Sequence, residues 1–281
     1  MCRFVFYNGP PLLLSALLTE PVHSLIRQSF ASQDRSEPLN GDGFGVAWYA
    51  PEHSPEPAVF RMITPAWNDR NLFDLARVVQ SRTIMAHVRA ATQVRAVNEA
   101  NCHPFRSGPW AFMHNGDVGG FVHFRRELLA ELSDRAFLAI EGSTDSEHAF
   151  AVFLDEIGHA AARSPEELEA ALRRTIARLV ELARTRGGGE ESYLNFAVTD
   201  GRHSAVTRYT TQADYPGESL YVDRGRRYIC EQGLCRMVEP EDGGGAVIVS
   251  SERLSDDASW EVVPRNHVLL VGDDGAVLRP L

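Results

Sequence analysis

The chain has 281 residues, 44% of them hydrophobic, so it is longer than one typical domain and can easily bury a core. Its formal charge of −10 and pI near 5.5 argue against a nucleic-acid partner, because phosphate contacts need clustered cations. All 28 basic residues are Arg, which excludes a Lys nucleophile; no stretch approaches the roughly 18 apolar residues of a membrane span, and the start lacks a signal-peptide pattern, so a soluble, cytoplasmic protein is expected.

In chain order, residues 3–7 form a predicted buried strand closed by the breaker Asn8-Gly9-Pro10-Pro11, and 12–18 a short helix. Residues 40–49 (NGDGFGVAWY) read as a glycine-rich turn entering a strand. The alternating glycines lack the strand–turn–helix setting and the Lys of a phosphate loop. A tight turn, where backbone passes close to something, is the better reading. Strands are expected over 59–63 and 83–89 with a helix over 71–79 between them, then a strand over 110–113 ending at His114-Asn115-Gly116 and a helix over 119–132. Two further helices carry start signals. Thr144 can cap with Glu147 reaching back, and Ser164 precedes Pro165 at the first helical position. In the second, Leu168, Leu172, Ile176, Leu179 and Ala183 trace one face, and Gly187-Gly188-Gly189 ends it. Strands follow over 193–198, 205–209, 219–222, 227–230, 246–250, 268–271 and 276–278. Strands first, helices in the middle and strands last is α+β order, suited to layered sheets with helices outside. No repeat or long linker divides the chain, so one domain over 1–281 is expected.

Cys2 stands next to the initiator methionine, and a Met followed by so small a side chain is normally trimmed. The mature chain would then begin with a residue carrying both a thiol, with a reference pKa of roughly 8.5, and an α-amine at roughly 7.7–8. The amine can be neutral near physiological pH and take the thiol's proton, a complete nucleophile–base pair on one residue. Of the other cysteines, Cys102 lies in a polar loop. The spacing of Cys230 and Cys235 fits neither a CxxC redox pair nor a zinc ribbon, so both are expected to be reduced strand or loop residues. Four stretches follow in order: His87-Val88-Arg89-Ala90-Ala91-Thr92, Asn101-Cys102-His103-Pro104-Phe105, His114-Asn115-Gly116 and Ser143-Thr144-Asp145. Each has an ordinary explanation, such as a core histidine, a turn or a helix-start acid. Together behind a penultimate Cys they indicate a site. Without HExxH or paired CxxC, neither a metal nor a cofactor is expected.

This set resembles the class II glutamine amidotransferases, which are N-terminal-nucleophile hydrolases. The stretches MCRF, HSLIRQSF, GDGFGVAWY, ITPAWN and LNFAVTDG are most similar to the stand-alone γ-glutamyl hydrolases of glutathione degradation and ergothioneine biosynthesis. The resemblance implies a four-layer αββα sandwich with Cys2 at the start of an inner strand. It implies that Cys2 attacks a γ-glutamyl carbonyl to form a thioester that water releases as glutamate. It assigns Asn115 and the Gly116 N–H to the oxyanion hole, Arg89 to the substrate α-carboxylate and Asp145 to its α-ammonium, with Thr92 and His103 as nearby supports. Synthase-linked members carry Trp after this Arg, where Ala90 stands here, which suggests room for a substrate bulkier than glutamine. The leading expectation is hydrolysis of a small γ-glutamyl peptide or thiol compound. The alternatives are a glutaminase subunit feeding ammonia to a separate synthase, and a non-catalytic binding protein on the same fold. The implied partners are the γ-glutamyl substrate and a peptidase or synthase subunit.

Overall fold

The computed structural model describes residues 2–34, 39–90, 98–162, 164–231, 233–238, 245–272 and 275–281. In chain order come β1 (Arg3–Leu13), α1 (Ser15–Leu18), α2 (Leu25–Gln28), β2 (Phe44–Trp48), β3 (Ala58–Met62), α3 (Arg70–Val78), β4 (Gln80–Val88), β5 (Phe105–Ser107) and β6 (Trp110–Asp117). The helices α4 (Phe121–Glu131), α5 (Asp134–Leu138), α6 (Asp145–Ile157) and α7 (Pro165–Arg186) follow. The rest is strand: β7 (Tyr193–Thr199), β8 (Ser204–Arg208), β9 (Tyr221–Gly225), β10 (Arg227–Glu231), β11 (Leu234–Val238), β12 (Ala246–Ser250), β13 (Glu261–Val262), β14 (His267–Gly272) and β15 (Gly275–Pro280).

Two antiparallel sheets, ordered β13-β9-β12-β1-β4-β2-β3 and β15-β14-β8-β7-β6-β5, pack face to face. The period-2 alternation of β1 sorts its side chains between two cores. Phe4 and Phe6 join Met85, Met113, Ala197 and Leu269 between the sheets. Val5 and Tyr7 point the other way, toward the layer of α1, α2 and α3. On the far side, Phe112 and Phe196 face outward under Phe150, Phe153 and the apolar stripe of α7. The result is the expected αββα sandwich. Since β1 is covered on both faces, Phe4, Val5, Phe6 and Tyr7 are all fully buried.

Helix starts follow the sequence closely. The Thr144 hydroxyl accepts the Glu147 N–H at 3.2 Å, and Ser164 accepts the Glu167 N–H at 3.3 Å with Pro165 opening α7. Glu147 does not reach back to its cap; its carboxylate accepts the Glu141 and Gly142 N–H groups at 2.8 Å each and braces the preceding turn.

Two expectations need correction. The breaker at 8–11 does not end β1: the ladder to β4 shifts register between Asn8 and Leu12, then resumes with Leu12 opposite Ser81. The ladder to β4 carries the strand through a bulge, and the first helix shrinks to Ser15–Leu18. Cys230 and Cys235 are also not independent thiols. They form a disulfide, because the hairpin of β10 and β11, the second of which the sequence reading missed, sets them directly opposite each other. Among the described residues, no helix is long and apolar enough to cross a membrane.

Peptide mapping under non-reducing conditions tests the hairpin. Cys230 and Cys235 are expected in one linked peptide while Cys2 and Cys102 remain alkylatable after denaturation; a Cys2–Cys102 linkage or four alkylated thiols would contradict it.

Candidate active site

The site lies where β1, β4 and β2 reach one end of their sheet. Arg3 pairs with Val88 and Phe4 with His87, so Cys2 comes one step further, beside Arg89. The pairing with β2 also continues past the strand: the Arg89 N–H donates to the Gly43 carbonyl at 2.8 Å and the Asp42 N–H to the Arg89 carbonyl at 3.0 Å. Alternation places Cys2, Arg89 and Gly43 on the face of Phe4 and His87, between the sheets. From the opposite sheet, Asn115 lies two residues beyond Met113 on β6 and so shares its inward face.

Cys2 is half-buried, and its thiol donates to the Ala90 carbonyl at 3.6 Å. Burial pushes the thiol's pKa up, opposed by the charges of Arg89 and Arg3. A neutral thiol of this kind needs a base to become a nucleophile. Arg89 is buried, and its Nη1 donates to the Asp42 carbonyl at 3.4 Å. Asn115 is 1% exposed, and both its amide nitrogen and its oxygen lack a hydrogen-bond partner among the described residues. Such a group is expensive to bury unless a ligand or water completes it. Opposite it on β7 is Asn195, also buried, whose Nδ2 donates to the Glu218 carbonyl at 3.2 Å. Gly116 has φ +153°, and a Cβ there would overlap the Tyr193 carbonyl oxygen, so no larger residue fits without moving the strand end. Asp145 is half-buried at the start of α6, and its Oδ2 accepts the Val118 N–H at 2.9 Å.

His103 lies behind this end rather than in it. Its buried ring packs between His87 and Phe105, with centroids 4.2 and 4.4 Å away, and both ring nitrogens lack partners among the described residues. The same loop explains the glycine-rich turn. A Cβ on Gly43 (φ +121°) would come within 2.6 Å of the Cys102 sulfur, and one on Gly45 would strike the His103 carbonyl. The expected close approach is therefore met by the 101–105 loop, not by a ligand. Asn101 ties that loop to the start of α6 by accepting the Ser143 N–H at 2.8 Å. Thr92 lies outside the described residues.

Three histidines underlie the site as neutral bases. His87 Nε2 faces the His114 carbonyl at 3.2 Å; a carbonyl only accepts, so Nε2 carries the proton. Likewise His114 Nε2 donates to the Tyr193 carbonyl at 2.9 Å, which leaves Nδ1 to accept from the Ser146 hydroxyl. Burial lowers all three, His87 to about 3. The sequence reading missed Ser146 and Asn195, and it missed the pairing of Arg3 with Glu252. Asn195 and Arg3 left a trace, inside the LNFAVTDG and MCRF stretches.

A sandwich of this topology with a penultimate Cys at the head of an inner strand defines an N-terminal-nucleophile hydrolase. The chain belongs to the class II glutamine amidotransferases, whose family description it matches over residues 13–279. It is 39% identical to the probable glutamine amidotransferase DUG3 of Saccharomyces cerevisiae, across all of this chain and 84% of that one. It is 27% identical to the gamma-glutamyl-hercynylcysteine sulfoxide hydrolase of Mycolicibacterium smegmatis over the full length of both. Among solved structures, a glutamine aminotransferase class-II domain protein from Silicibacter pomeroyi superposes with a TM-score of 0.68 at 30% identity, covering 99% of each chain.

Two measurements test this geometry. Gly116→Ala is expected to abolish activity, since its Cβ displaces β6 from β7 beside Asn115; wild-type turnover with a native circular dichroism spectrum would show that the strand end tolerates the shift. The second concerns pH. A histidine whose folded pKa lies below its unfolded value of roughly 6.5 contributes full stability above that pH and loses it as the pH falls, because the unfolded chain binds the proton first. With His87 at about 3, unfolding free energy should drop by about 1.4 kcal/mol per pH unit for each such histidine below roughly pH 6. Urea titrations at pH 7 and pH 5 read this directly, and a His87→Asn variant should show a shallower dependence.

Proposed function

We propose that the protein hydrolyses γ-glutamyl amide bonds, as one domain over residues 1–281 whose mature form begins at Cys2. The observation that carries this reading is Asn115, a buried amide with no hydrogen-bond partner among the described residues, facing the same interior edge as the thiol. The free α-amine takes the thiol proton as sulfur attacks the γ-carbonyl. Negative charge then develops on the carbonyl oxygen, where the Asn115 amide and the Gly116 N–H are the donors; one such donor is typically worth about 10²–10³ in rate. Collapse expels the amine, which leaves with the proton, and water then cleaves the thioester to glutamate and regenerates the thiol. Arg89 takes the α-carboxylate, where its planar fork suits a bidentate contact, and Asp145 takes the α-ammonium. His103 supports the site by packing beneath it, and Thr92 belongs to the segment after Arg89.

The substrate is a γ-glutamyl peptide or γ-glutamyl thiol compound, so the leaving group is the amine of a peptide or thiol compound rather than ammonia. Two things support this: Ala90 is small where synthase-linked relatives carry Trp, and one full-length relative is named a gamma-glutamyl-hercynylcysteine sulfoxide hydrolase. A larger leaving group supplies binding energy that glutamine lacks, which can be used in the transition state. A partner peptidase would take the peptide that such a reaction releases.

Steady-state kinetics on glutamine, glutathione, γ-glutamylcysteine and a γ-glutamyl anilide test the proposal. Cys2→Ala should be inactive, and Arg89→Gln and Asp145→Asn should each lose at least about tenfold in kcat/KM, from a lost charged hydrogen bond. At least one γ-glutamyl peptide should exceed glutamine in kcat/KM. If glutamine were preferred throughout, and its hydrolysis rose on adding a co-encoded synthase, ammonia supply would be the function. Full activity in protein retaining Met1 would remove the amine from the mechanism.

A further inference from the structure

A chain that begins at its nucleophile tethers that residue on one side only, so its position depends on what holds the residues after it. Arg3 is 1% exposed yet bears a full charge. Its Nε donates to Glu252 Oε1 at 2.5 Å, its Nη2 to the Ser32 hydroxyl at 2.7 Å, and its Nη1 to the Cys2 carbonyl at 3.0 Å. Glu252 is held in turn: the Ser32 hydroxyl donates to Oε1, and the Gln33 N–H donates to Oε2 at 3.0 Å. Burial pushes the Glu252 pKa up, but Arg3, Gln33 and Ser32 more than reverse this, so it is a carboxylate. The next rung is closed as well, with the Phe4 N–H on the Ser251 hydroxyl at 3.1 Å and the Ser251 N–H on the Phe4 carbonyl at 3.0 Å.

Packing does not call for a charge at this place. The residues that share the Arg3 face of β1, Val5 and Tyr7, are apolar and build a core there. A buried ion pair is commonly replaceable by apolar side chains at no loss of stability, so its presence asks for another reason. One of the five guanidinium donors lands on the nucleophile's own carbonyl. We propose that Arg3, locked to Glu252 and Ser32, is a positioning residue that fixes the mature N-terminus and sets a permanent cation beside its α-amine. This rests on the reading of Cys2 as that N-terminus.

The carbonyl oxygen and nitrogen of one residue are at most about 3.6 Å apart. Nη1 therefore sits no further than about 7 Å from the Cys2 nitrogen. A cation at that range disfavours the ammonium form and keeps the amine available as a base at lower pH. Among the described residues, the other charged groups in the surrounding segments include Arg89 after β4, Asp42 before β2, Asp145 at α6, Arg253 after β12 and Asp34. His87, His103 and His114 behind the site are neutral, with lowered pKa values. None of these groups changes in the variants below, so the sign of each shift follows from Arg3 and Glu252.

The test is the pH dependence of kcat/KM on a γ-glutamyl anilide for Arg3→Gln, Glu252→Gln, the double variant and Arg3→Lys, with Cys2→Ala alongside. Removing the cation should move the acid limb up by roughly half to one pH unit; removing the carboxylate should move it down, and the double variant should return close to wild type. In all three, kcat should fall about tenfold or more with KM within about twofold, since Arg89 and Asp145 are untouched. Arg3→Lys should keep the wild-type limb and recover part of kcat. Limbs that do not move, that move in one direction for both charge changes, or losses confined to thermal stability or KM would overturn the proposal. Where Arg3→Gln fails to fold around an unpaired Glu252, the double variant and Arg3→Lys carry the comparison. Turnover by Cys2→Ala would instead overturn the underlying nucleophile reading, whereas an inert Cys2→Ala with unmoved limbs would remove only the role of Arg3.

Discussion

The antiparallel pairing of β1 between β12 and β4 is the constraint on which the rest of the molecule depends. In a mature chain starting at Cys2, no preceding residue could help to aim the thiol. The ladder does that work. Phe4 and Phe6 anchor the strand between the sheets, Val5 and Tyr7 anchor it against the outer helices, and the ladder to β4 runs on to Arg3, one step from Cys2. A central strand is also the most strongly determined in register, since a one-residue slip would turn its whole inner set outward. Placing a catalytic group at the end of such a strand puts it at a rigid point that is still reachable from one side.

Around that point, charge is handled by burial. The histidines are driven neutral, the Cys2 thiol is driven protonated, and the cations Arg3 and Arg89 persist because a guanidinium stays ionised under desolvation that would neutralise other groups. An apolar, weakly screened surrounding makes each remaining donor count for more. Asn115, without a hydrogen-bond partner among the described residues, is therefore a reserve of hydrogen bonding. The molecule accepts a cost in stability here, as functional sites commonly do.

Close backbone approach holds the layers of the site together. Gly43 and Gly45 let the 101–105 loop lie directly on β2, while Asn101 ties the same loop to the turn that starts α6. Gly116 lets β6 end against the Tyr193 carbonyl. Cys2, Arg89, Asn115 and Asp145 come from four separate elements, and these contacts fix their spacing. A methyl group at any of the three glycines would change that spacing by more than a reacting geometry tolerates.

Local chemistry in the sequence by itself determined a good part of this protein. The caps Thr144 and Ser164, the alternation of β1, the apolar stripe of α7 and the strand–helix–strand order are short-range signals, and each led to its element. The candidate site residues stood out because a reactive group next to the start, followed by Arg, Asn-Gly and Asp in order, has few other uses. What the tertiary structure alone decided involves partners far apart in the chain. The ladder from β1 to β4 overrode the Asn-Gly-Pro-Pro breaker, and the unforeseen β11 brought Cys235 onto Cys230. Arg3 found Glu252, 249 residues away. Asn195 came to lie opposite Asn115, and Gly43 and Gly45 met a protein loop rather than a phosphate. Propensity and periodicity act over a turn or a strand, whereas these pairings exist only once two sheets have stacked and closed the distance.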